Sequence, residues 1–281
     1  MHSALATDPG DPQHPNEDYA SVALPASGQG GALVLLDGVT PPEGDYGCVH
    51  PVSWFTAHLG GAMLELSGSH PDMTLPEALS AAISRTAAIH QDSCDLSHVR
   101  TPQATVVAVR WSQDTVEHLV LSDSALLLER TDGSVQPVLD RRLDELPPWV
   151  RAQRDAVRAL PRGSVERAAA GREYGRVVEA LRNAEGGFFT AAADPAVAAL
   201  AVTGTTPRAE VRSLTALSDG ASRWVEVFHQ GSWADCVELV AQQGPQALID
   251  RVRAAEAADP EGTAHPRGKA RDDAAVIHVV P

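Results

Sequence analysis

The sequence predicts an α/β protein, with layered β-sheets and helices packed outside them. Three observations carry this. Apolar runs of strand length are interleaved with pairs of longer amphipathic stretches, the pattern of strands and helices sharing one layered core. Several of the strand-like runs stop abruptly at Asp-Gly or Ser-Asp pairs, which are turn formers. The chain has 281 residues, 43% of them apolar, enough to bury a substantial core.

Residues 1–16 are rich in Pro and Asp and read as an irregular lead-in. Asp18–Leu24 and Gly31–Leu36 read as strands. The second contains Ala32-Leu33-Val34-Leu35-Leu36, apolar on both faces, as a buried strand requires. It stops at Asp37-Gly38, and a Pro/Gly-rich loop from Thr40 to Gly47 follows. Amphipathic helices are predicted over about Val52–Leu66 and Leu75–Gln91. The second has Thr74 as N-cap and Pro76-Glu77 in its first turn. Gly60-Gly61 reads as a close-packing or kink site and not as a phosphate loop.

Ala104–Trp111 and Thr115–Glu129 read as two strands around the turn Ser112-Gln113-Asp114. Asp132-Gly133 turns the chain into a strand at Val135–Leu139. Pro147–Arg182 is helical and Arg-rich. Val211–Leu217 is a strand ending at Ser218-Asp219-Gly220. Helices follow over Trp233–Gln243 and Pro245–Ala258, then a polar segment, Asp259–Arg271, and a last strand, Ala274–Val280. With no internal repeat and no linker, one domain over residues 1–281 is expected.

The net charge is −15, which argues against nucleic acid as the main partner, since phosphate contacts need a basic face. Lys269 is the sole lysine, and the Arg-, Ala- and Pro-rich composition is that of a GC-rich bacterial genome. No apolar run reaches the roughly 20 residues of a membrane span. The N-terminus has no basic and apolar leader, and three scattered cysteines, Cys48, Cys94 and Cys236, fit a reducing compartment. A cytoplasmic protein without membrane partners is expected.

Five acidic sites fall at strand ends: Asn16-Glu17-Asp18, Asp37-Gly38, Asp123, Asp219-Gly220 and Asp272-Asp273. A single Asp-Gly is an ordinary turn. Five such sites together are harder to explain that way, because gathering carboxylates is costly unless a cation compensates them. Oxygen-only ligands suit hard divalent ions such as Mg²⁺ or Mn²⁺.

The order of these motifs resembles the protein phosphatase 2C family, the metal-dependent protein phosphatases. The matching pieces are Asn16-Glu17-Asp18, Leu35-Leu36-Asp37-Gly38, Ala104-Thr105-Val106-Val107, Leu121-Ser122-Asp123-Ser124, Leu217-Ser218-Asp219-Gly220 and Arg271-Asp272-Asp273-Ala274-Ala275-Val276. The resemblance implies an αββα sandwich of two antiparallel β-sheets flanked by helix pairs, with a two-metal site at one edge. It places Asp37 as the bridge between two Mg²⁺ or Mn²⁺ ions. Asp219 and Asp272 complete the first ion's protein ligands, and Glu17 and the Gly38 carbonyl hold the second. Asp18 lies beside the site as a supporting acceptor, and Asp123 helps hold a third, weaker ion. The implied activity is hydrolysis of phosphoserine or phosphothreonine in proteins, by a water bridging the two metals, with bacterial kinases as counterparts. A catalytically weak binding or regulatory module, or a phosphatase for a small phosphorylated metabolite, remain alternatives.

The sequence also departs from the family. Many relatives carry an Arg clamp four residues before the motif Glu; here that residue is Gln13, with His14 beside it as a candidate phosphate donor. Val39-Thr40-Pro41-Pro42 follows Gly38, where eukaryotic members carry a His, and Asp273 replaces the usual Asn. Ten arginines and six acids lie between Arg141 and Arg182, a net +4. The stretch 141–186 corresponds to the family's variable flap, and Arg172 and Arg176, one helical turn apart, are the candidate replacement clamp. The other reading is that these arginines pair with neighbouring Glu on solvated helices.

Cys48-Val49-His50 and Cys94-Asp95-Leu96-Ser97-His98 hold two Cys and two His. Free thiols with loop histidines, a structural zinc, and a Cys48–Cys94 disulfide are the three readings. The five Trp read as core or rim residues.

Overall fold

The structure, a computed structural model, describes residues 2–42 and 44–281; position 43 of the loop expected over Thr40–Gly47 falls outside them. Two five-stranded antiparallel sheets stack face to face. One contains β2 (Tyr19–Ala23), β3 (Gly31–Leu36), β4 (Val106–Trp111), β5 (Thr115–Leu121) and β8 (Val202–Pro207), in the order β2-β3-β4-β5-β8. The other contains β1 (His2–Asp8), β6 (Ala125–Arg130), β7 (Val135–Val138), β9 (Val211–Leu217) and β10 (Ala274–Val280), in the order β1-β10-β9-β6-β7. Helices α1 (Val52–Ser69) and α2 (Leu75–His90) cover the first sheet. Helices α5 (Asp219–Glu226), α6 (Trp233–Gln243) and α7 (Pro245–Ala258) cover the second.

This layering explains the uninterrupted apolar run of β3. Successive side chains of a strand point to opposite faces. Leu33 and Leu35 therefore enter the layer between the sheets, against Leu126, Leu214 and Ile277. Val34 and Leu36 face α1 and α2, against Phe55, Leu59 and Leu79. Both faces are buried, so no polar residue interrupts the strand. Gly60 of α1 is a close-packing residue as expected: a Cβ there would fall 2.3 Å from the Tyr19 ring. Thr74 caps α2 as expected. Its hydroxyl accepts from the Glu77 amide at 3.3 Å, and the Glu77 carboxylate accepts from the Thr74 amide at 2.8 Å, a capping box typically contributing ~1 kcal/mol.

Two expectations are corrected, and three further elements are added or refined. The lead-in is ordered: His2–Asp8 forms edge strand β1, paired along its length with β10 from His2↔Val280 to Asp8↔Ala274. The run Thr115–Glu129 is not one strand. It breaks at Ser122-Asp123-Ser124, where Ser122 takes φ 69°, and its halves enter different sheets. Pro147–Arg182 is two helices, α3 (Pro148–Ala159) and α4 (Val165–Leu181), parted at Pro161-Arg162-Gly163. Asp219-Gly220 is not only a turn but the first turn of α5, and β8 is a further strand. Among the described residues, no helix is long and apolar enough to cross a membrane.

Candidate metal centre

Register brings the acidic motifs together. Tyr19 pairs with Leu36, so Glu17-Asp18 lies beside Asp37. Leu217 pairs with Val276 and with Ala125, so Asp219, Asp272 and Asp123 share the same end of the second sheet. Hydrogen bonds then stitch the two sheets at this edge. The Asp219 amide donates to Asp37 Oδ2 at 3.2 Å. The Asp37 amide donates to Thr105 Oγ1 at 3.2 Å, and Thr105 Oγ1 lies 2.5 Å from Ser124 Oγ. Asp273 accepts from the amides of Gly10 at 2.8 Å and Glu17 at 2.6 Å. The substituted Asp273 thus clamps the backbone of the Glu17 motif.

The two motif glycines are required by close approach of chains. A Cβ on Gly38 would lie 2.7 Å from the Glu17 carbonyl oxygen and 2.5 Å from Val52 Cγ1. On Gly220 it would lie 1.9 Å from the Asp273 carbonyl oxygen. Neither residue can carry a side chain without separating the strands that hold the carboxylates.

Burial and mutual repulsion raise the carboxyl pKa values. Asp37 is pushed well above the carboxylate range by burial, then by Asp219 and Asp18. Asp18 is raised likewise, chiefly by burial, and both its carboxylate oxygens are buried with no hydrogen-bond partner. Asp123 is pushed up to about 7 by burial and Asp219. Asp272 rises to about 6 for the same two reasons, although Lys269 and Arg223 oppose the shift. Burial also raises Glu17. Orphaned, buried, mutually repelling oxygens call for added positive charge. An all-oxygen donor set fits Mg²⁺ or Mn²⁺ and not a soft ion.

Two side chains supply part of that charge, and neither was visible as a site residue in the sequence. Lys269 Nζ donates to Asp272 Oδ1 at 2.6 Å and to Thr40 Oγ1 at 3.0 Å. Thr40 in turn donates to Glu17 Oε2 at 2.5 Å. Arg223 bridges Asp272 Oδ2 at 2.7 Å and the buried Glu256 at 2.8 Å. The available signal was the sole lysine, three residues before Asp272. Thr40 was noted only as part of a departure from the family.

A cavity of about 670 Å³ opens beside the cluster, and Asp123, Asp219, Asp272 and Lys269 line it. Arg141, Arg154 and Arg158 also line it. Arg154 and Arg158 are one turn apart on α3, and burial together with Arg154 lowers the Arg158 pKa. The expected clamp residues lie outside this cavity. Arg172 and Arg176 are exposed on α4 and do not line this cavity, and Arg176 pairs with Glu173 at 2.7 Å. The Arg periodicity was legible, but which helix faces the cavity depended on how α3 and α4 pack. His14 is likewise on the surface, its Nδ1 2.8 Å from Asp11 Oδ2.

The sandwich and its oxygen-lined edge define a metal-dependent phosphatase. The family model described as Protein phosphatase 2C matches residues 11–250, and the chain belongs to the protein phosphatase 2C family. Asp272 lies beyond the matched residues. Among solved structures, the serine/threonine phosphatase Stp1 from Staphylococcus aureus is similar with TM-score 0.60 and 12% identity, covering 100% of this chain and 95% of that one. The serine/threonine phosphatase of S. agalactiae gives TM-score 0.57 and 14% identity, covering 100% and 99%. The catalytic domain of the serine/threonine phosphatase PstP, solved with two manganese ions, gives TM-score 0.53 and 15% identity, covering 99% and 96%. No curated protein matches the chain.

Proposed function

We propose that this metal-dependent phosphoprotein phosphatase removes phosphate from phosphoserine and phosphothreonine, working in the cytoplasm of a bacterial cell. The observation that carries the reading is the convergence of Glu17, Asp18, Asp37, Asp219 and Asp272 at one sandwich edge, with Asp18 and Asp37 held far above ordinary carboxyl pKa values. Asp37, Asp219 and Asp272 would hold one divalent ion. Asp37, Glu17 and the Gly38 carbonyl would hold the second, and Asp123 would contribute to a third. Such ions supply an acidified water and offset charge on the phosphoryl oxygens.

The chain's own groups do the remaining work. The Asp219 amide fixes the Asp37 carboxylate. Thr40 fixes Glu17. With ions bound, the unpartnered, ionised Asp18 oxygens would accept a hydrogen bond from the attacking water. Lys269 and the Arg154–Arg158 pair draw the phosphate dianion into the cavity, a task for which guanidinium and ammonium groups are suited. Residues 1–281 form one domain in this account, and 141–186 is the variable flap.

A second reading has its own support. The Lys269–Asp272 ion pair competes with a metal for the same carboxylate, and Gln13 stands in place of the family's Arg. Both favour a weak enzyme serving as a binding module. Mn²⁺-dependent phosphate release separates the readings. We expect faster release from a phosphoserine or phosphothreonine peptide than from a small aryl phosphate. No release from any substrate would leave the binding module, and release from small phosphates alone would make the protein a metabolite phosphatase.

A further inference from the structure

We propose that Cys48, His50, His90 and Cys94 form a tetrahedral zinc site that staples the loop after Asp37-Gly38 to the end of α2, separate from the catalytic centre. Three segments converge there. Cys48 and His50 come from the loop before α1, His90 is the last residue of α2, and Cys94 lies one turn further on. One ligand atom from each of the four falls within 4.8 Å of the other three.

The separations suit one small ion. Zn–S bonds of about 2.3 Å and Zn–N bonds of about 2.0–2.1 Å, arranged tetrahedrally, put S and N about 3.6 Å apart and S and S about 3.8 Å apart. The S···N distances are 3.4 Å for Cys94–His50, 3.5 Å for Cys48–His90 and 3.7 Å for Cys48–His50. The sulfurs are 2.8 Å apart, so a metal would spread them by about 1 Å. Both cysteines are free thiols. A two-sulfur, two-nitrogen donor set is that of structural zinc, whereas the catalytic cluster offers oxygen alone.

The surroundings are those of a built site. His90 is only 2% exposed. Trp54 stacks on His50 with ring centroids 4.1 Å apart and lies 5.2 Å from the His90 ring, giving an apolar wall that limits water. The His50 amide donates to Cys48 Sγ at 3.4 Å, and Ser93 Oγ lies 3.7 Å from Cys94 Sγ, contacts that stabilise thiolates. The Asp95 amide donates to the Gly47 carbonyl at 2.7 Å, fixing the two loops against each other. His98, paired with Cys94 on sequence grounds, is elsewhere: its Nδ1 accepts from the Arg100 amide at 3.1 Å. His90 replaces it.

Cobalt substitution tests this on the full-length, reduced protein with excess Mg²⁺ present to fill the oxygen site. Co²⁺ should produce a thiolate-to-metal charge-transfer band and intense tetrahedral d–d bands, saturating at one equivalent and displaced by Zn²⁺. An oxygen-only site cannot give the thiolate band. The band should persist in Asp37→Ala, so failure of the phosphatase reading would leave it untouched. It should vanish in the double variant Cys48→Ser/Cys94→Ser, whose melting temperature should no longer respond to Zn²⁺. The proposal is overturned if reduced wild-type protein shows no thiolate band or if the band survives in the double variant. It is also overturned if the freshly isolated, unfolded chain titrates as one free thiol in place of three, the mark of a Cys48–Cys94 disulfide. Should the double variant fail to fold, the wild-type spectrum alone decides.

Discussion

The Asp219 backbone amide donates to the Asp37 carboxylate across 3.2 Å, joining the two sheets at the residue that serves both ions in the proposed centre. Asp219 opens α5, so this donor belongs to the positive end of a helix dipole and favours the ionised form of Asp37. Burial and the neighbouring carboxylates oppose it and win. The centre is thus strained without ions, and four consequences can be measured.

The first is pH dependence. Asp123 at about 7 and Asp272 at about 6 have folded-state pKa values far above the roughly 3.9 of an unfolded Asp. The folded, ion-free chain therefore holds extra protons, and these groups make its stability fall as pH rises from about 4, the unfolded value, to about 7, the higher folded value. Thermal melts in chelator should show that decline. Asp123→Asn should flatten it, and saturating Mn²⁺ should raise the melting temperature most at the high-pH end. A slope unchanged in Asp123→Asn would remove Asp123 from the explanation.

Lys269 gives the second. Its ammonium occupies an Asp272 oxygen at 2.6 Å. Lys269→Met should tighten Mn²⁺ binding in calorimetry, because a competing cation is gone. It should also lower kcat/KM toward a phosphopeptide by about 10-fold or more, from the low end of the roughly 1.5–3 kcal/mol of a hydrogen bond to a charged group. Weaker Mn²⁺ binding would show that Lys269 supports the centre and does not compete with it.

Phosphate capture is the third. Arg154→Ala and Arg158→Ala should each raise KM by about 10-fold or more, since a hydrogen bond to a charged group contributes about 1.5–3 kcal/mol. Arg172→Ala and Arg176→Ala should leave kcat/KM within about 2-fold, as exposed ion pairs contribute little. The reverse ranking in steady-state assays would return the clamp to α4.

The parts of the fold that could be read from the sequence are those written in local pattern. β3 announces itself because both its faces are buried. α2 begins where Thr74 and Glu77 say it does. The acidic motifs were legible because each closes or opens a strand in fixed order. What escaped depends on distant partners. β1 has Leu5 49% exposed and little alternation, so its strand state comes from β10 at the other end of the chain. Ser122-Asp123-Ser124 interrupts the apolar run, but nothing local says that the two halves enter different sheets. Lys269, Arg223 and Arg158 carry no motif, and only packing brings them to the carboxylates. His90 reads as one more residue on the buried face of α2 until Cys48 and Cys94 are placed beside it.

The central claim is that Asp37 is the shared ligand of a catalytic two-ion centre. Mn²⁺-dependent phosphate release from a phosphothreonine peptide, measured side by side for wild-type protein and Asp37→Ala with matching circular dichroism, tests it most directly. Outer partners of metal ligands typically contribute 10–100-fold, so loss of a bridging ligand should cost more than about 100-fold in kcat/KM, while the ion-free variant melts no lower than wild type because a repelling charge has been removed. Wild-type rates in Asp37→Ala would contradict the two-ion assignment.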